Sequence, residues 1–131
     1  MSTPRVASPR TRKRSENLED FYTSAVPRWI FDEKSLTILE INDAAIQKFG
    51  YSRKEFLKLT LLEISPIEDI PKLLRSALHS PASRRYGGVW RHRKKDGSVL
   101  RLRIVSRKIR FGGHDAELVS AEEANPTAHW S

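Results

Sequence analysis

The segment from Gly88 to Phe111 alternates apolar and basic residues with a period of two, and the alternation is interrupted at Asp96-Gly97. A period of two places successive side chains on opposite faces of a β-strand, and Asp-Gly between two such runs is a strong hairpin signal. The pattern predicts a strand over residues 89–95 and a long return strand over residues 98–111. The chain must therefore contain an antiparallel pair of strands.

The two faces of this hairpin differ in chemistry. On the first strand Trp90 shares a face with His92, and packing the apolar set inward carries His92 with it. There we expect a partly exposed imidazole near the rim of the sheet, bonded to backbone. The residues expected to face inward are Trp90, His92, Leu100, Leu102 and Ile104. Those expected to face outward are Val89, Arg91, Arg93, Val99, Arg101, Arg103 and Val105.

The positive charge of the chain is concentrated in two places. Residues 84–110 hold eleven Lys or Arg and one acid, and residues 1–15 hold five basic residues and no acid, within a formal net charge of +8. Such asymmetry favours an anionic partner, so nucleic acid is one hypothesis. We expect no aromatic side chain beside the outward arginines to stack on bases, however. We therefore favour pairing of these arginines with acids of the same chain or of a second copy, namely Glu16, Glu19 and Asp20.

Helices and strands are also indicated on the N-terminal side of the hairpin. The expected elements are an amphipathic lead-in helix over 16–25, strands over 29–32 and 36–41, and a helix over 43–49. Asn42 is suited to cap that helix and Gly50 to end it. Ser52–Glu55 has the pattern of a capping box, and Ser65–Glu68 repeats it.

The remaining elements complete an α+β order. A helix is predicted over 66–79, split by Pro71, with a buried stripe formed by Leu73, Leu74, Ala77 and Leu78. Gly112-Gly113 turns the chain into a last strand over 114–121. Two strands, several short helices and a three-strand meander indicate an antiparallel sheet covered by helices on one face. The chain then divides into a disordered basic tail (1–15), the lead-in helix (16–26), a globular domain (27–121) and a flexible tail (122–131).

No arrangement of residues indicates catalysis or a metal site. The chain has no cysteine, and its histidines at 79, 92, 114 and 129 have no ligand spacing. We therefore predict that the protein is not an enzyme and holds no metal. No apolar run approaches the roughly 18 residues of a membrane span, and no secretory signal is present. We expect a cytoplasmic protein that does not contact a membrane.

Several short motifs occur together in one order. They are a strand ending at Asp32, the helix entry Asn42-Asp43-Ala44-Ala45, Gly50-Tyr51-Ser52 with Glu55-Phe56, Pro66-Ile67-Glu68-Asp69, and Lys95-Asp96-Gly97-Ser98. In this order and spacing, residues 27–121 resemble a PAS domain of the bacterial sensor type, standing alone. The resemblance implies a five-stranded antiparallel sheet in spatial order 2-1-5-4-3, with short helices over one face.

The resemblance also implies a small cavity between the helices and the inner sheet face. In the family it binds a metabolite, flavin or haem, or is filled by side chains. We expect it to be lined by Ile30, Ile41, Phe49, Phe56, Leu74, Leu78, Trp90, Leu102 and Ile104, with His92 as the polar contact. The cofactor is unknown: flavin photochemistry through a reactive cysteine is excluded because the chain has none, and His79, the candidate haem ligand, is better explained as a helix-end residue.

The function implied is that of a sensory or regulatory module in signal transduction. In the family the outer sheet face and the lead-in helix mediate dimerisation, so we expect a homodimer, with a small ligand and a signalling partner protein as further partners. The expected interface residues are Phe21, Tyr22, Val89, Arg91, Arg93, Arg101, Arg103 and Val105. Pro126 stands where relatives continue into a linker helix, which favours signalling through association. The alternative is a nucleic-acid-binding protein that uses the arginine face and the N-terminal arm.

Overall fold

The computed structural model describes residues 18–79 and 87–124, with the side chains of residues 76–79 outside that description. The helices are α1 (Leu18–Thr23), α2 (Asp43–Phe49), α3 (Arg53–Phe56) and α4 (Ile70–His79), with a 3₁₀ turn at Ile67–Asp69 before α4. The strands are β1 (Arg28–Asp32), β2 (Ile38–Ile41), β3 (Gly87–Arg93), β4 (Val99–Phe111) and β5 (His114–Glu123). The expected basic tail over 1–15 and most of the tail over 122–131 lie outside the described residues.

The strands form one antiparallel sheet in the order β2-β1-β5-β4-β3, which confirms the predicted topology. β3 and β4 make the expected hairpin, with Trp90 opposite Leu102 and Arg91 opposite Arg101. β5 pairs with β4 on one side and with β1 on the other. The first and last strands are therefore neighbours in the middle of the sheet.

Three of the predicted helix ends are confirmed in detail. The Asn42 side chain accepts a hydrogen bond from the Ala45 N–H and so caps α2, and Gly50 ends that helix in the left-handed region at φ 88°. Ser52 and Glu55 form a reciprocal capping box at the start of α3. These caps satisfy backbone donors that the first helical turn leaves without partners.

The second predicted capping box is wrong. Pro66 occupies the cap position before the 3₁₀ turn and makes no side-chain cap bond. Ser65 instead donates its hydroxyl to the Leu61 carbonyl oxygen at 2.7 Å. Pro71 lies in the first turn of α4, where its missing N–H breaks no helical bond, so the predicted split falls between the 3₁₀ turn and α4.

Strand β2 begins two residues later than predicted, at Ile38 rather than Leu36. The Asp32 carboxylate accepts hydrogen bonds from the backbone N–H groups of Lys34 (3.0 Å) and Ser35 (2.7 Å), which closes a tight turn. Leu36 leaves this turn in the left-handed region at φ 64°, which is incompatible with an extended strand.

Apolar side chains pack on both faces of the sheet. The inner cluster lies between the sheet and the helices after β2, and it contains Trp29, Phe31, Ile38, Ile41, Phe49, Phe56, Leu73, Trp90, Leu102, Ile104 and Val119 among others. A smaller outer cluster is built around Phe21 of α1 and contains Ile30, Ile109, Ala116 and Leu118. The sheet thus has apolar packing over much of one face and over part of the other.

Candidate functional site

His92 lies within an aromatic cluster on the inner face. Its ring centroid is 5.6 Å from that of Trp29 and 6.0 Å from that of Phe49. Phe49 also packs edge-on against Trp29 at 5.6 Å and against Phe56 at 5.4 Å. Since these rings come from β3, β1, α2 and α3, the cluster connects the sheet to its helical cover.

The prediction of a partly exposed His92 is wrong, because the residue is 2% exposed. Neither ring nitrogen has a partner with good hydrogen-bond geometry, although the Ile64 backbone lies near enough to act on the ring. The buried indole Nε1 of Trp29 lacks a partner as well. A buried polar group without a hydrogen bond costs about 1–3 kcal/mol, so these two rings form the point of the inner cluster where a polar molecule would be stabilised.

Burial also determines the charge of His92. Removal from water lowers its pKa to about 4, against weaker opposite effects of the Ile64 backbone and the Asp69 carboxylate. The imidazole is therefore neutral at pH 7. A neutral ring has one donor and one acceptor nitrogen, which suits it to contact a ligand that carries both groups.

The structure separates the residues that we expected to line one cavity. The inner cluster contains Ile41, Phe49, Phe56, Trp90, Leu102 and Ile104. Ile30 was assigned to the wrong face and packs in the outer cluster with Phe21. Leu74 was also assigned wrongly: it is 41% exposed, and Leu73 takes the inner position at 2%. The side chains of Leu78 and His79 lie outside the described residues.

Helix α1 covers one half of the outer sheet face. Phe21 is 1% exposed and packs with Ile30, Ile109 and Leu118. It therefore belongs to the interior of the domain, and the prediction that it lies in an interface between molecules is wrong. Tyr22 beside it is 40% exposed, and its hydroxyl donates to the Glu40 carboxylate. The lead-in helix is therefore part of the domain.

The other half of the outer face, formed by the first half of β4, is open. The outward positions of this stretch are Val99, Arg101, Arg103 and Val105, and all are exposed. The two valines are 49% and 52% exposed. Exposed β-branched side chains flanking two arginines make this stretch, which we call the open face, a candidate interaction surface.

Arg91 and Arg93 of β3 were predicted to lie on the open face, but their side chains bond elsewhere. Arg91 donates two hydrogen bonds to the Asp69 carboxylate, at 3.0 and 2.7 Å, and its guanidinium holds the pKa of that carboxyl below its usual value. Arg93 donates to the Glu63 carbonyl oxygen at 3.1 Å. Both side chains reach segments that follow α3, so Arg91 is neutralised by the 3₁₀ turn and not by acids of the lead-in helix. Of the four arginines expected in one outer patch, Arg91 is paired with a carboxylate, whereas Arg93 bonds a neutral carbonyl and keeps its charge.

A second polar group lies at the far end of the sheet and was missed in the sequence. Ser106 is 1% exposed and donates its hydroxyl to the Glu117 carboxylate at 2.8 Å. Burial raises the pKa of Glu117, and the neighbouring carboxylate of Glu33 raises it further, against the Ser106 bond. Lys108 pairs with Glu33. One signal of this buried polar pair is present in the sequence, namely Glu117 between the apolar residues of β5.

Two classes of site are not found in the described part of the chain. Within residues 18–79 and 87–124, no group of three His, Asp or Glu side chains is arranged to hold a metal ion. No helix within these ranges is long and apolar enough to cross a membrane.

The sheet order, the helical cover and the buried inner cluster define a small α+β domain with one antiparallel sheet. The family model for the PAS fold matches residues 18–120, so the chain belongs to the PAS family, whose domains are typical sensory modules of signal transduction proteins. No curated protein matches the chain in sequence.

Solved structures support the same fold. The PAS domain of an HTR-like protein from Haloarcula marismortui is similar with a TM-score of 0.71 and 19% identity, over 92% of this chain and 99% of that chain. A domain of a sensory box sensor histidine kinase/response regulator from Geobacter sulfurreducens is similar with a TM-score of 0.66 and 15% identity, over 93% and 100% of the two chains. At these identities the likeness concerns the fold.

Proposed function

We propose that this PAS domain is a regulatory module of signal transduction that works by forming a homodimer through the open face. The observation that carries the proposal is the half exposure of Val99 and Val105 on a sheet face that α1 covers elsewhere. Burying these side chains against a second copy would remove apolar surface from water, at about 25 cal/mol per Å². The open face and α1 lie on the same side of the sheet, so one interface across that side would contain both.

Charge supports a second copy as the occupant. The open face carries Arg101 and Arg103, whereas the first turn of α1 carries Glu19 and Asp20. A two-fold axis across the outer face brings the α1 of one copy towards the arginines of the other, so opposite charges meet. Nucleic acid has less support because Arg91 is paired with the Asp69 carboxylate.

The test is the mass of the protein in solution. Light scattering after size exclusion should give twice the chain mass of 15.1 kDa for the unaltered chain. The double variant Val99→Asp/Val105→Asp should give the monomer mass, because two carboxylates would be buried without partners. Ile67→Asp is the matched control, since Ile67 is an apolar residue 78% exposed on the 3₁₀ turn. It should stay dimeric.

Two results would contradict dimerisation through this face. One is a monomeric unaltered protein at every concentration up to about the millimolar range that weak regulatory dimers need. The other is a double variant that keeps the dimer mass. Binding to RNA or heparin that is lost in Arg101→Glu/Arg103→Glu would support the nucleic-acid function instead.

We further propose that the unpartnered nitrogens of His92 and Trp29 contact a small polar ligand in the inner cluster. Their lack of hydrogen bonds supports this. Native mass spectrometry of the purified protein should show a bound molecule, and His92→Phe should release it while keeping the dimer mass. The ligand proposal would be contradicted if the purified protein carried no additional mass and no class of metabolite raised its thermal midpoint. The module would then function through association alone.

A further inference from the structure

We propose that the outer face of the sheet carries a binding site for a single phosphate group, formed by Arg28 of β1, Ser120 of β5 and Arg103 of β4. Alternate residues of a strand share a face, so Arg28 lies on the same side as Ile30, and Ser120 on the same side as Leu118. Arg103 is one of the exposed residues of the open face. The site is complete in one copy of the chain, so the inference does not depend on the proposed dimer.

The pairing of the strands places these three side chains next to one another. Arg28 is directly opposite Ser120, and Ser120 is directly opposite Val105 of β4. Arg103 precedes Val105 by two residues, so it lies on the same face and diagonal to Ser120. The Cβ atoms of opposite residues are about 4.5–5.5 Å apart and diagonal neighbours roughly 7–8 Å, which long side chains span. Two guanidinium groups can therefore reach one anion above the Ser120 hydroxyl.

The Arg28 side chain has a donor without a partner. Its Nε atom is buried, and no acceptor in the described part of the chain bonds it. A buried donor without an acceptor is costly, so a ligand that accepts from this N–H is stabilised. The residue as a whole is only partly buried, so rotation of the guanidinium presents Nε–H and one Nη–H together to the sheet face. This paired arrangement matches two oxygens of a phosphate group.

The charges around the site favour a small anion over a polymer. Arg107, further along β4 on the same face, adds positive charge. Glu122 lies directly opposite Arg103, and the first turn of α1 carries Glu19 and Asp20 on the same side of the sheet. A nucleic acid that crosses the face brings further phosphates against these carboxylates, whereas a single phosphate has only Glu122 as a close negative neighbour. The ligand is therefore inorganic phosphate or the phosphate monoester of a small molecule.

Titration of the full chain with inorganic phosphate tests the site. Backbone amide shifts are followed by NMR while sodium chloride keeps the ionic strength constant. We expect saturable shifts at residues 28, 103 and 120. Arg28→Gln and Arg103→Gln should each weaken binding about tenfold or more, as for loss of a hydrogen bond to a charged group. Because Arg103 is exposed, its variant keeps the fold and the test stays decisive even if Arg28→Gln does not fold.

Two further variants distinguish a defined site from general positive charge. Glu122→Gln should strengthen phosphate binding about twofold, because it removes the carboxylate opposite Arg103. Arg110→Gln is the matched control, since Arg110 is an exposed arginine near the other end of β4 that pairs with Asp115 at 2.8 Å. It changes the net charge as Arg103→Gln does, and it should leave the affinity unchanged.

The source of the phosphate is identified with a monoester. Tighter binding of free phosphoserine than of inorganic phosphate would assign the site to phosphorylated small molecules, and equal affinity would assign it to phosphate itself. Shifts that chloride alone reproduces, shifts that do not saturate, or equal weakening by Arg110→Gln and Arg103→Gln would overturn the inference. An RNA oligomer that binds where phosphate does not would overturn it in favour of the nucleic-acid function.

Light scattering of the same samples separates this inference from the proposed dimer. Phosphate competes for the guanidinium of Arg103, which the proposed dimer pairs with acids of a second copy, so it should lower the dimer fraction. Phosphate binding without any dimer contradicts only the proposed function. A dimer that binds no phosphate contradicts only this inference.

Discussion

At the level of single residues, a neutral imidazole inside an apolar cluster makes the stability of the domain depend on pH. The unfolded chain binds a proton at His92 near the ordinary pKa of 6.5, whereas the folded chain does so only near 4. Between these values the unfolded state holds more protons, so acid favours unfolding. The stability that depends on a neutral His92 is fully present above about pH 6.5 and is lost as the pH falls to about 4.

We predict that His92 removes about 3 kcal/mol from the free energy of unfolding between pH 7 and pH 4, since each unit of pKa difference is about 1.4 kcal/mol. Urea denaturation at several pH values measures this loss. His92→Phe and His92→Gln should both flatten the curve over this range relative to the unaltered protein, although one replacement is apolar and the other polar. Equal acid sensitivity in all three proteins would show that another group is responsible.

The position of His92 was predictable, but its environment was not. Alternation with Trp90 placed it on the inner face, because the period of a strand is two. How deeply His92 is buried depends on aromatic rings from β1, α2 and α3, which are distant in the sequence and so cannot be recognised from a local pattern. Ile30 shows the opposite limit: Trp29, Ile30 and Phe31 are all apolar because α1 covers the outer face there, so alternation could not distinguish the faces.

At the level of elements, the helix caps explain why two helices as short as α2 and α3 can form in sequence. Local bonds from Asn42 and within Ser52–Glu55 are specified by adjacent residues, and these caps were predicted. Which residues of α4 face inward was not predicted. The preceding 3₁₀ turn at Ile67–Asp69 has three residues per turn, so it rotates the faces of α4 relative to those of a continuous α-helix. That rotation carries Leu74 outward and leaves Leu73 inside.

Gly50 provides a test of one element boundary. Its φ of 88° lies in the left-handed region, and an added Cβ would meet the Lys95 Cβ at 3.7 Å, an ordinary contact distance. The cost of Gly50→Ala is therefore conformational, and we predict a loss of about 1–2 kcal/mol in the free energy of unfolding. Gly50→Asn should lose less, because asparagine tolerates this region. Chemical denaturation of both variants measures the difference, and equal losses would point to a clash instead.

At the level of the whole molecule, both edges of the sheet make hydrogen bonds to neighbouring segments, while part of one face is open. On β3 the Arg93 N–H donates to the Ile64 carbonyl oxygen at 2.7 Å, and Lys72 reaches the Val89 carbonyl oxygen at 3.3 Å. On β2 the Ile38 N–H donates to the Leu59 carbonyl oxygen at 3.0 Å. Unpaired edges invite strand addition, and these bonds obstruct it. The proposed dimer uses the outer face and needs neither of these edges.

The response of the whole domain to pH is the sum of opposing groups. Burial raises the pKa of Asp32, but hydrogen bonds from Ser35, His114 and Lys34 outweigh it and lower the pKa to about 2. Its stabilising effect is lost as the pH falls from 3.8 towards 2, below the range of His92. Glu117 acts in the opposite direction, because its folded pKa is raised. The folded state then gains relative stability as the pH falls through that pKa.

Glu117→Gln separates this contribution from the rest. Glutamine resembles the protonated acid and still accepts from the Ser106 hydroxyl, so we predict a gain in the free energy of unfolding at pH 7. The gain should vanish below about pH 4.5, where the native side chain is itself protonated. Glu122→Gln, an exposed glutamate on the same strand, is the control in denaturation curves at both pH values. A Glu117→Gln protein that is less stable at pH 7 would mean that the charge of Glu117, through Lys108, stabilises the fold more than its burial destabilises it.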